Sequence, residues 1–309
     1  IESALSILGK SAAGQTKQGV PVRIDGTNQR NPNFATMHDL LIRNARLYDG
    51  SGRPAVTGDL AVRDAMIVAI GSMGSIAGEA RETIDADGLA LMPGIIDNHT
   101  HYDAQITWDR TLSPSPSLGV TTVIAGNCGF GIAPCPAPLR QTVVKNLSVV
   151  EGMDLDALLT GTRWEFETFP EYLDQLRRIG PYANVGMLVG HSTLRTAVMG
   201  EEASTRREPT AAEMNQMRSL VRDALANGAA GFASSFSPNH AGYGGLPMPS
   251  TIAGDDELRM LTDELRAAGR GIFVMATGSR GTPEYMEEIA SRTRRPAFIV
   301  TVLTIHNAG

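Results

Sequence analysis

The chain has 309 residues, of which 42% are hydrophobic and 19% are charged, so it can bury a sizeable core and is not globally disordered. Its formal net charge of −6 gives no electrostatic reason to bind nucleic acid or an anionic membrane surface. No run approaches the ~18 consecutive apolar residues of a membrane span, and two cysteines are too few for a disulfide framework. We therefore expect a globular, cytoplasmic protein.

The first third of the chain divides into two parts. Residues 1–36 are rich in Gly, Gln, Asn and Ser without a sustained period, and we expect a flexible extension. Residues 37–94 contain short apolar segments punctuated by Asp-Gly turns, which predicts the N-terminal part of a small β-sandwich domain. Its predicted strands include Leu40–Leu47 and a hairpin formed by Leu60–Val62 and Met66–Ile70.

From residue 95 to residue 309, short β-branched segments alternate with amphipathic helices. One helix begins with the capping box Thr210-x-x-Glu213 and is closed by Gly228. Buried strands that alternate with helices indicate a parallel sheet, and about six such units predict an α/β fold with a TIM-like (β/α) barrel. The predicted strands are Gly119–Ala125, Val185–Val189, Ala229–Ser234, Ile272–Ala276 and Ala297–Leu303.

An apolar segment runs directly into two histidines in the sequence LMPGIIDNHTHYD at residues 91–103. Because residues two apart lie on the same face of a strand, His99 and His101 are expected to project together. At the carboxyl end of a barrel strand, that direction is the mouth of the barrel. Two adjacent imidazoles suit a divalent metal such as zinc. The alternative is a pair of unrelated histidines at a polar strand end.

This stretch, extended to LMPGIIDNHTHYDAQITWD, resembles the first barrel strand of the metal-dependent amidohydrolases, specifically the D-aminoacylase (N-acyl-D-amino-acid deacylase) group. The resemblance covers roughly residues 37–271. It implies a metal-binding barrel with one or two zinc ions that hydrolyses a linear amide, releasing a carboxylic acid and a D-amino acid. Further segments resemble the same group in the same order: GVTTVIAGNCGFGIAP at 119–134, WEFETFPEYLDQL at 164–176, GHSTLRTAVMGE at 190–201 and GAAGFASSFSPNHAGYGGLPMPS at 228–250.

Cys128 follows the second predicted barrel strand. Glycines on both sides of the Asn127-Cys128 pair let the backbone turn so that the thiol can face the barrel mouth. The resemblance implies that Cys128 is a zinc ligand, which the metal would hold as a thiolate. No lysine follows Lys145, so the carboxylated lysine that bridges two metals in many amidohydrolases cannot come from the fourth strand. The alternative is a small buried thiol, as we expect for Cys135.

The remaining candidates lie later in the chain. The fifth strand of the family normally ends in a histidine, whereas GIFVMATGSRG at 271–281 has none. His306 is the candidate sixth-strand ligand. His191 and His240 follow the third and fourth strands, where each could bind substrate, polarise its carbonyl or replace the missing ligand. Arg195 could meet a substrate carboxylate bidentately, and an ordinary surface arginine is its alternative.

The expected catalytic aspartate of this superfamily follows an eighth strand, and only about six strands precede residue 309. The catalytic residue therefore stays unassigned, with Asp103 as the nearby acid that could serve. We expect the chain to be part of a longer enzyme acting on a small N-acyl amino acid, with self-association left open. The alternatives are a cyclic-amide hydrolase resembling hydantoinase or dihydroorotase, and an inert, incomplete barrel that acts as a binding or assembly module.

Overall fold

A computed structural model of the protein describes residues 5–8, 37–206, 208–276, 278 and 280–300. The contacts divide the chain into two compact units. The first contains the residues up to Asp97 together with 111–123 and 182–184, and the second contains 98–110, 124–181 and the residues from Val185 onward. Apart from Leu5–Leu8, the predicted flexible extension at residues 1–36 lies outside the described residues.

The first unit is built on one hydrogen-bonded sheet with the order β1-β6-β2-β3-β4, in which β5 also pairs with β2. Strands β3 and β4 form the predicted hairpin, turning through Asp64 and Ala65 at positive φ. The strands of this sheet are β1 Leu5–Leu8, β2 His38–Leu47, β3 Val56–Arg63, β4 Met66–Ser72, β5 Ala80–Asp85 and β6 Ala90–Pro93.

Apolar clusters cover both faces of this sheet. Leu40 and Ile42 of β2 belong to one cluster, whereas Leu41 between them belongs to another, as expected where side chains alternate along a strand. Hydrogen bonding joins the six strands of residues 5–93 into one sheet, so the predicted N-terminal sheet domain is present. Its arrangement as a sandwich stays a prediction.

Two further strands are β7, Ile95–Asp97, and β8, Val120–Ala125, which pair in parallel. The loop at 111–118 that precedes β8 contains a 3-10 turn at Ser115–Leu118 and ends at Gly119 with φ +91°. Strand β7 ends two residues before His99. The His-x-His segment therefore follows a strand, as predicted, but does not form part of it.

The second unit alternates strands with helices. Its strands are parallel neighbours in chain order: β9 pairs with β10, β10 with β11 and β11 with β12. The predicted alternation of buried strands and helices is thus confirmed. The strands are β9 Asn184–Gly190, β10 Gly231–Ser235, β11 Ile272–Ala276 and β12 Ala297–Val300. The helices are α1 Arg140–Val150, α2 Leu155–Gly161, α3 Phe169–Ile179, α4 His191–Met199, α5 Ala211–Ala226, α6 Asp255–Ala268 and α7 Pro283–Thr293.

Capping residues fix the helix ends where the sequence predicts them. The Thr210 side chain accepts a hydrogen bond from Glu213 N–H, and the Glu213 carboxylate accepts one from Thr210 N–H, which completes the capping box of α5. Gly228 lies two residues beyond the end of α5 with φ +114°. Among the described residues, none of the helices combines the length and the hydropathy of a membrane-spanning segment.

We predict that Thr210→Ala lowers the free energy of unfolding by about 1 kcal/mol, because Glu213 N–H loses its acceptor at the start of α5. The measurement is the urea midpoint at constant m-value. Thr160→Ala, at an exposed position of α2, is the control and should not destabilise the protein. Equal losses in the two variants would contradict the assigned cap.

Candidate metal centre

Thr100, between the two histidines, fastens their segment to the last residues of β8. Its backbone N–H and its hydroxyl both donate to the carbonyl of Ile124, at 3.0 and 2.8 Å. Asn127 Nδ2 donates to the same carbonyl at 2.8 Å and to the Thr100 carbonyl at 3.3 Å. These hydrogen bonds hold the histidine segment next to the loop that carries Cys128.

The loop that carries Cys128 is a tight turn with three residues in the left-handed region. Gly126, Cys128 and Gly129 have φ values of +83°, +56° and +79°. A Cβ on Gly126 would clash with the carbonyl oxygen of Leu188, and one on Gly129 would lie 3.1 Å from the Cα of Ser234. The predicted need for glycine on both sides of this loop is confirmed, because the backbone packs directly against β9 and β10.

The two imidazoles and the thiol converge on one point. His99 Nε2 lies 3.2 Å from His101 Nε2 and 3.5 Å from Cys128 Sγ. One ligand atom from each of the three residues lies within 4.8 Å of the others. Tetrahedral zinc, with bonds of roughly 2.0–2.1 Å to nitrogen and 2.3 Å to sulfur, separates two nitrogens by about 3.3 Å and nitrogen from sulfur by about 3.5 Å. The donor set therefore fits a zinc-like cation.

The electrostatics of the site favour neutral donors in the absence of a cation. Burial lowers the pKa of His101 to about 3, with further contributions from His99 and His240. Burial raises the pKa of the Cys128 thiol to about 12, with further contributions from Glu151 and Asp103. Neutral imidazoles keep a lone pair for a metal, whereas the buried thiol becomes a thiolate only beside a positive charge.

Glu151 is a site residue that the sequence analysis missed. It directly follows α1, and its Oε1 lies 3.3 Å from Nδ1 of His101. Burial, followed by the nearby charge of Asp103, raises the pKa of Glu151 to about 8. The only local signal is an acidic residue next to two valines at the end of an amphipathic helix, and such residues are common at helix ends.

Asp103 is buried beside the cysteine loop. Its carboxylate accepts a hydrogen bond from Gly126 N–H, and burial raises its pKa to about 7 despite this bond and one from its own N–H. Tyr172 OH donates to the Asp103 carbonyl at 2.7 Å. Within the described residues, Oδ2 has no hydrogen-bond partner. Asp103 thus contacts the loop that presents Cys128, and its catalytic role stays a prediction.

His240 lies near the three converging residues. Its ring packs edge-on against Phe130 with centroids 4.9 Å apart, and the Phe130 ring lies 6.4 Å from that of His101. Its Nδ1 is 2.7 Å from Ser235 Oγ. Burial and then the proximity of His99 lower the pKa of His240, so its imidazole is neutral. The structure therefore brings this predicted residue to the site.

His191 and Arg195 are placed differently from the expectation. Both side chains are fully buried, and both contact the Glu257 carboxylate. His191 Nε2 lies 2.8 Å from Glu257 Oε1, and its Nδ1 lies 2.9 Å from Ser234 Oγ. An internal carboxylate thus occupies the position that the sequence analysis assigned to a substrate carboxylate. The expected ligand contact of Arg195 needs correction, because its guanidinium is inaccessible in this structure.

Charge and burial explain this network. Burial lowers the pKa of His191, so its imidazole is neutral and can donate from Nε2 to Glu257 while Nδ1 accepts from Ser234. Burial alone raises the pKa of Glu257, but the contacts with His191 and Arg195 outweigh it and hold the pKa below its usual value. Arg195 is therefore the charge partner of Glu257, and the network stabilises the interior next to β10.

His306 lies outside the described residues, so its assignment as a ligand stays a prediction. Cys135 is a buried free thiol whose Sγ lies 3.8 Å from the Pro136 carbonyl, which agrees with the expectation of an incidental residue.

The sequence profile of the amidohydrolase family matches residues 82–307, which include both histidines and Cys128. The chain belongs to the amidohydrolase family. It is 36% identical over 262 residues to a D-aminoacylase of Alcaligenes xylosoxydans xylosoxydans, covering 83% of this chain and 47% of that protein. It is 37% identical over 249 residues to an N-acyl-D-aspartate deacylase of the same organism, covering 80% and 44%. The chain thus spans about half the length of these curated relatives.

Solved structures of a D-aminoacylase and of an N-acyl-D-glutamate deacylase are also similar to this chain. A D-aminoacylase structure described by its binuclear metal centre has a TM-score of 0.67 and 33% identity, covering 85% of this chain and 51% of that one. An N-acyl-D-glutamate deacylase from Bordetella bronchiseptica, in complex with zinc and a phosphonate inhibitor, has a TM-score of 0.65 and 31% identity, covering 84% and 50%. Structures in this family therefore carry metal ions.

We predict that Glu257→Ala lowers the free energy of unfolding by roughly 3–5 kcal/mol, because the buried Arg195 guanidinium loses its charge partner. Urea unfolding followed by circular dichroism gives the value. Glu287→Ala, at an exposed position of α7, is the matched control and should stay within about 0.5 kcal/mol of the parent protein. A loss below about 1 kcal/mol for Glu257→Ala would show that the pair contributes little.

Proposed function

We propose that this protein is a metal-dependent amidohydrolase that cleaves the linear amide bond of an N-acyl-D-amino acid. The observation that carries the proposal is the convergence of His99, His101 and Cys128 on distances that suit zinc. A divalent cation bound there would supply a water nucleophile near neutral pH and polarise the acyl carbonyl. The proposed products are a carboxylic acid and a free D-amino acid.

The residues around the three ligands have proposed roles of their own. Neutral His240, whose Nδ1 lies next to Ser235, is proposed to donate from its other nitrogen to the substrate carbonyl. Asp103 is the proposed holder of a proton, since burial gives its carboxyl a pKa of about 7, close to the operating range of a general acid/base. His306 is proposed as an additional ligand on the sequence argument alone.

The proposed architecture is a TIM-like (β/α) barrel with the site at the carboxyl ends of its strands. Its support is the parallel order of β9 to β12, each with a helix between it and the next strand, together with membership in the amidohydrolase family. We also propose a reducing compartment such as the cytoplasm, because Cys128 and Cys135 are free thiols.

The names of the relatives support the proposed substrate class. By their names they are a D-aminoacylase and deacylases of N-acyl-D-aspartate and N-acyl-D-glutamate. A linear amide is preferred over a cyclic one because the chain offers Cys128 at the centre and no lysine after Lys145. Since the chain spans about half of these relatives, activity of this chain is part of the proposal.

Metal binding can be tested apart from activity. We predict that the purified protein retains stoichiometric zinc after dialysis, and that Cys128→Ser loses most of it because a hydroxyl is a poorer ligand than a thiolate. Cobalt substitution supplies a second measurement, since thiolate-to-cobalt charge-transfer absorption should be absent in Cys128→Ser. Cys135→Ser, which also removes a buried thiol, should keep both signals. A metal-free protein, or equal losses in the two variants, would refute this centre.

Hydrolysis is tested on protein of measured zinc content. We predict release of free amino acid from N-acetyl-D-amino acids, little from the L enantiomers, and a loss of at least about 100-fold in His99→Ala, because removing a ligand disrupts the electrostatic stabilisation at the metal. Hydantoin and dihydroorotate are assayed alongside. Turnover of those cyclic amides alone would favour the cyclic-amide alternative. A zinc-loaded but inactive protein that self-associates in light scattering would favour the assembly module.

A further inference from the structure

We infer that Glu151 is a positioning residue for the metal centre: its carboxylate holds His101 in the tautomer and orientation that direct Nε2 to the cation. The inference rests on the proposed function. The contact that supports it is the 3.3 Å separation between Glu151 Oε1 and His101 Nδ1, in which both side chains are only 16% exposed.

The single proton of a neutral imidazole determines which nitrogen of His101 can bind a cation. A neutral imidazole has one N–H, so a ring that gives the lone pair of one nitrogen to a metal carries its proton on the other nitrogen. His101 Nε2 faces His99 Nε2 and the point where the three donors converge. Binding of a cation at that point therefore places the proton of His101 on Nδ1.

That Nδ1–H needs an acceptor in a buried environment. In the described residues, His101 Nδ1 has no hydrogen bond of good alignment, while the Glu151 carboxylate lies 3.3 Å away. An unsatisfied buried donor costs about 1–3 kcal/mol, and a carboxylate is a strong acceptor. The binding of a metal thus creates the donor that Glu151 is placed to accept from, and a small rotation of the carboxylate completes the bond.

The net charge of the metal-bound site is a second reason for a carboxylate at this position. A divalent cation held by two neutral imidazoles and one thiolate leaves a net charge of +1 in a largely buried site. The Glu151 carboxylate, in contact with one of these imidazoles, cancels that charge. Carboxylates in this outer position commonly orient metal-bound histidines and raise their basicity.

The buried side chains that anchor α1 do not include Glu151. Helix α1, which it follows, is anchored by the buried side chains of Val143, Val144 and Leu147. Glu151 makes its described ion pair with His101 alone, whereas a carboxylate with a structural role, such as Glu257, contacts several buried groups. Substitution at residue 151 should therefore change the affinity for metal more than the stability of the metal-free protein.

The test measures zinc affinity by competition with a chromophoric chelator at fixed pH. We expect Glu151→Ala to weaken zinc binding by roughly 10–100-fold, the usual effect of removing such a partner. Glu151→Gln keeps an acceptor for Nδ1–H but removes the charge, so it should fall between Ala and the parent protein. Glu165→Gln, in the exposed ion pair with Arg178, is the matched control and should bind zinc like the parent.

Two outcomes would overturn the inference. One is parent-like zinc affinity in both Glu151 variants while Cys128→Ser has lost the metal, which leaves the proposed centre standing without this role for Glu151. The other is a fall in the thermal midpoint of the metal-free Glu151→Ala and Glu151→Gln proteins that accompanies their loss of zinc affinity. That result would indicate a structural role for Glu151. If the parent protein itself binds no zinc, the proposed function fails, and that result is distinct from both.

Discussion

The geometry of the site depends on the hydrogen bonds that converge on the carbonyl oxygen of Ile124. It accepts hydrogen bonds from Thr100 N–H, from the Thr100 hydroxyl and from Asn127 Nδ2. None of these groups binds metal, yet together they hold the histidine segment against the cysteine loop. Thr100 lies between His99 and His101 in sequence, so its hydrogen bonds to Ile124 hold both histidines next to the loop of Cys128.

Burial determines which protonation states the residues of this site favour. The site contains groups whose charged forms are unfavourable in a dry environment, as the lowered pKa of His101 and the raised pKa values of Cys128, Glu151 and Asp103 show. A cation held by His99, His101 and Cys128 would invert that preference, because it would stabilise the thiolate and the carboxylates at the same time. The same principle separates this cluster from the Glu257 network, where Arg195 already supplies the positive charge.

Local patterns were sufficient for much of the fold and part of the site. The capping box of α5, the β3–β4 hairpin and the alternation of strands and helices depend on neighbours in sequence, so they could be predicted and are confirmed. The glycines around Cys128 indicated a turn for the same reason. The predicted contact of Arg195 with a substrate carboxylate needs correction for the described residues, because the burial of a side chain depends on distant segments.

The sequence by itself determined which donors are available: a His-x-His pair, one cysteine in a glycine-flanked loop, and no lysine in the second half. The tertiary structure alone decided which of the remaining polar residues lie near these donors. It placed His240 beside Phe130 and Glu151 against His101, and it buried His191 and Arg195 around Glu257. The reason is physical: a pattern reports contacts within a strand or a helical turn, whereas Glu151 and His101, 50 positions apart, meet only through packing.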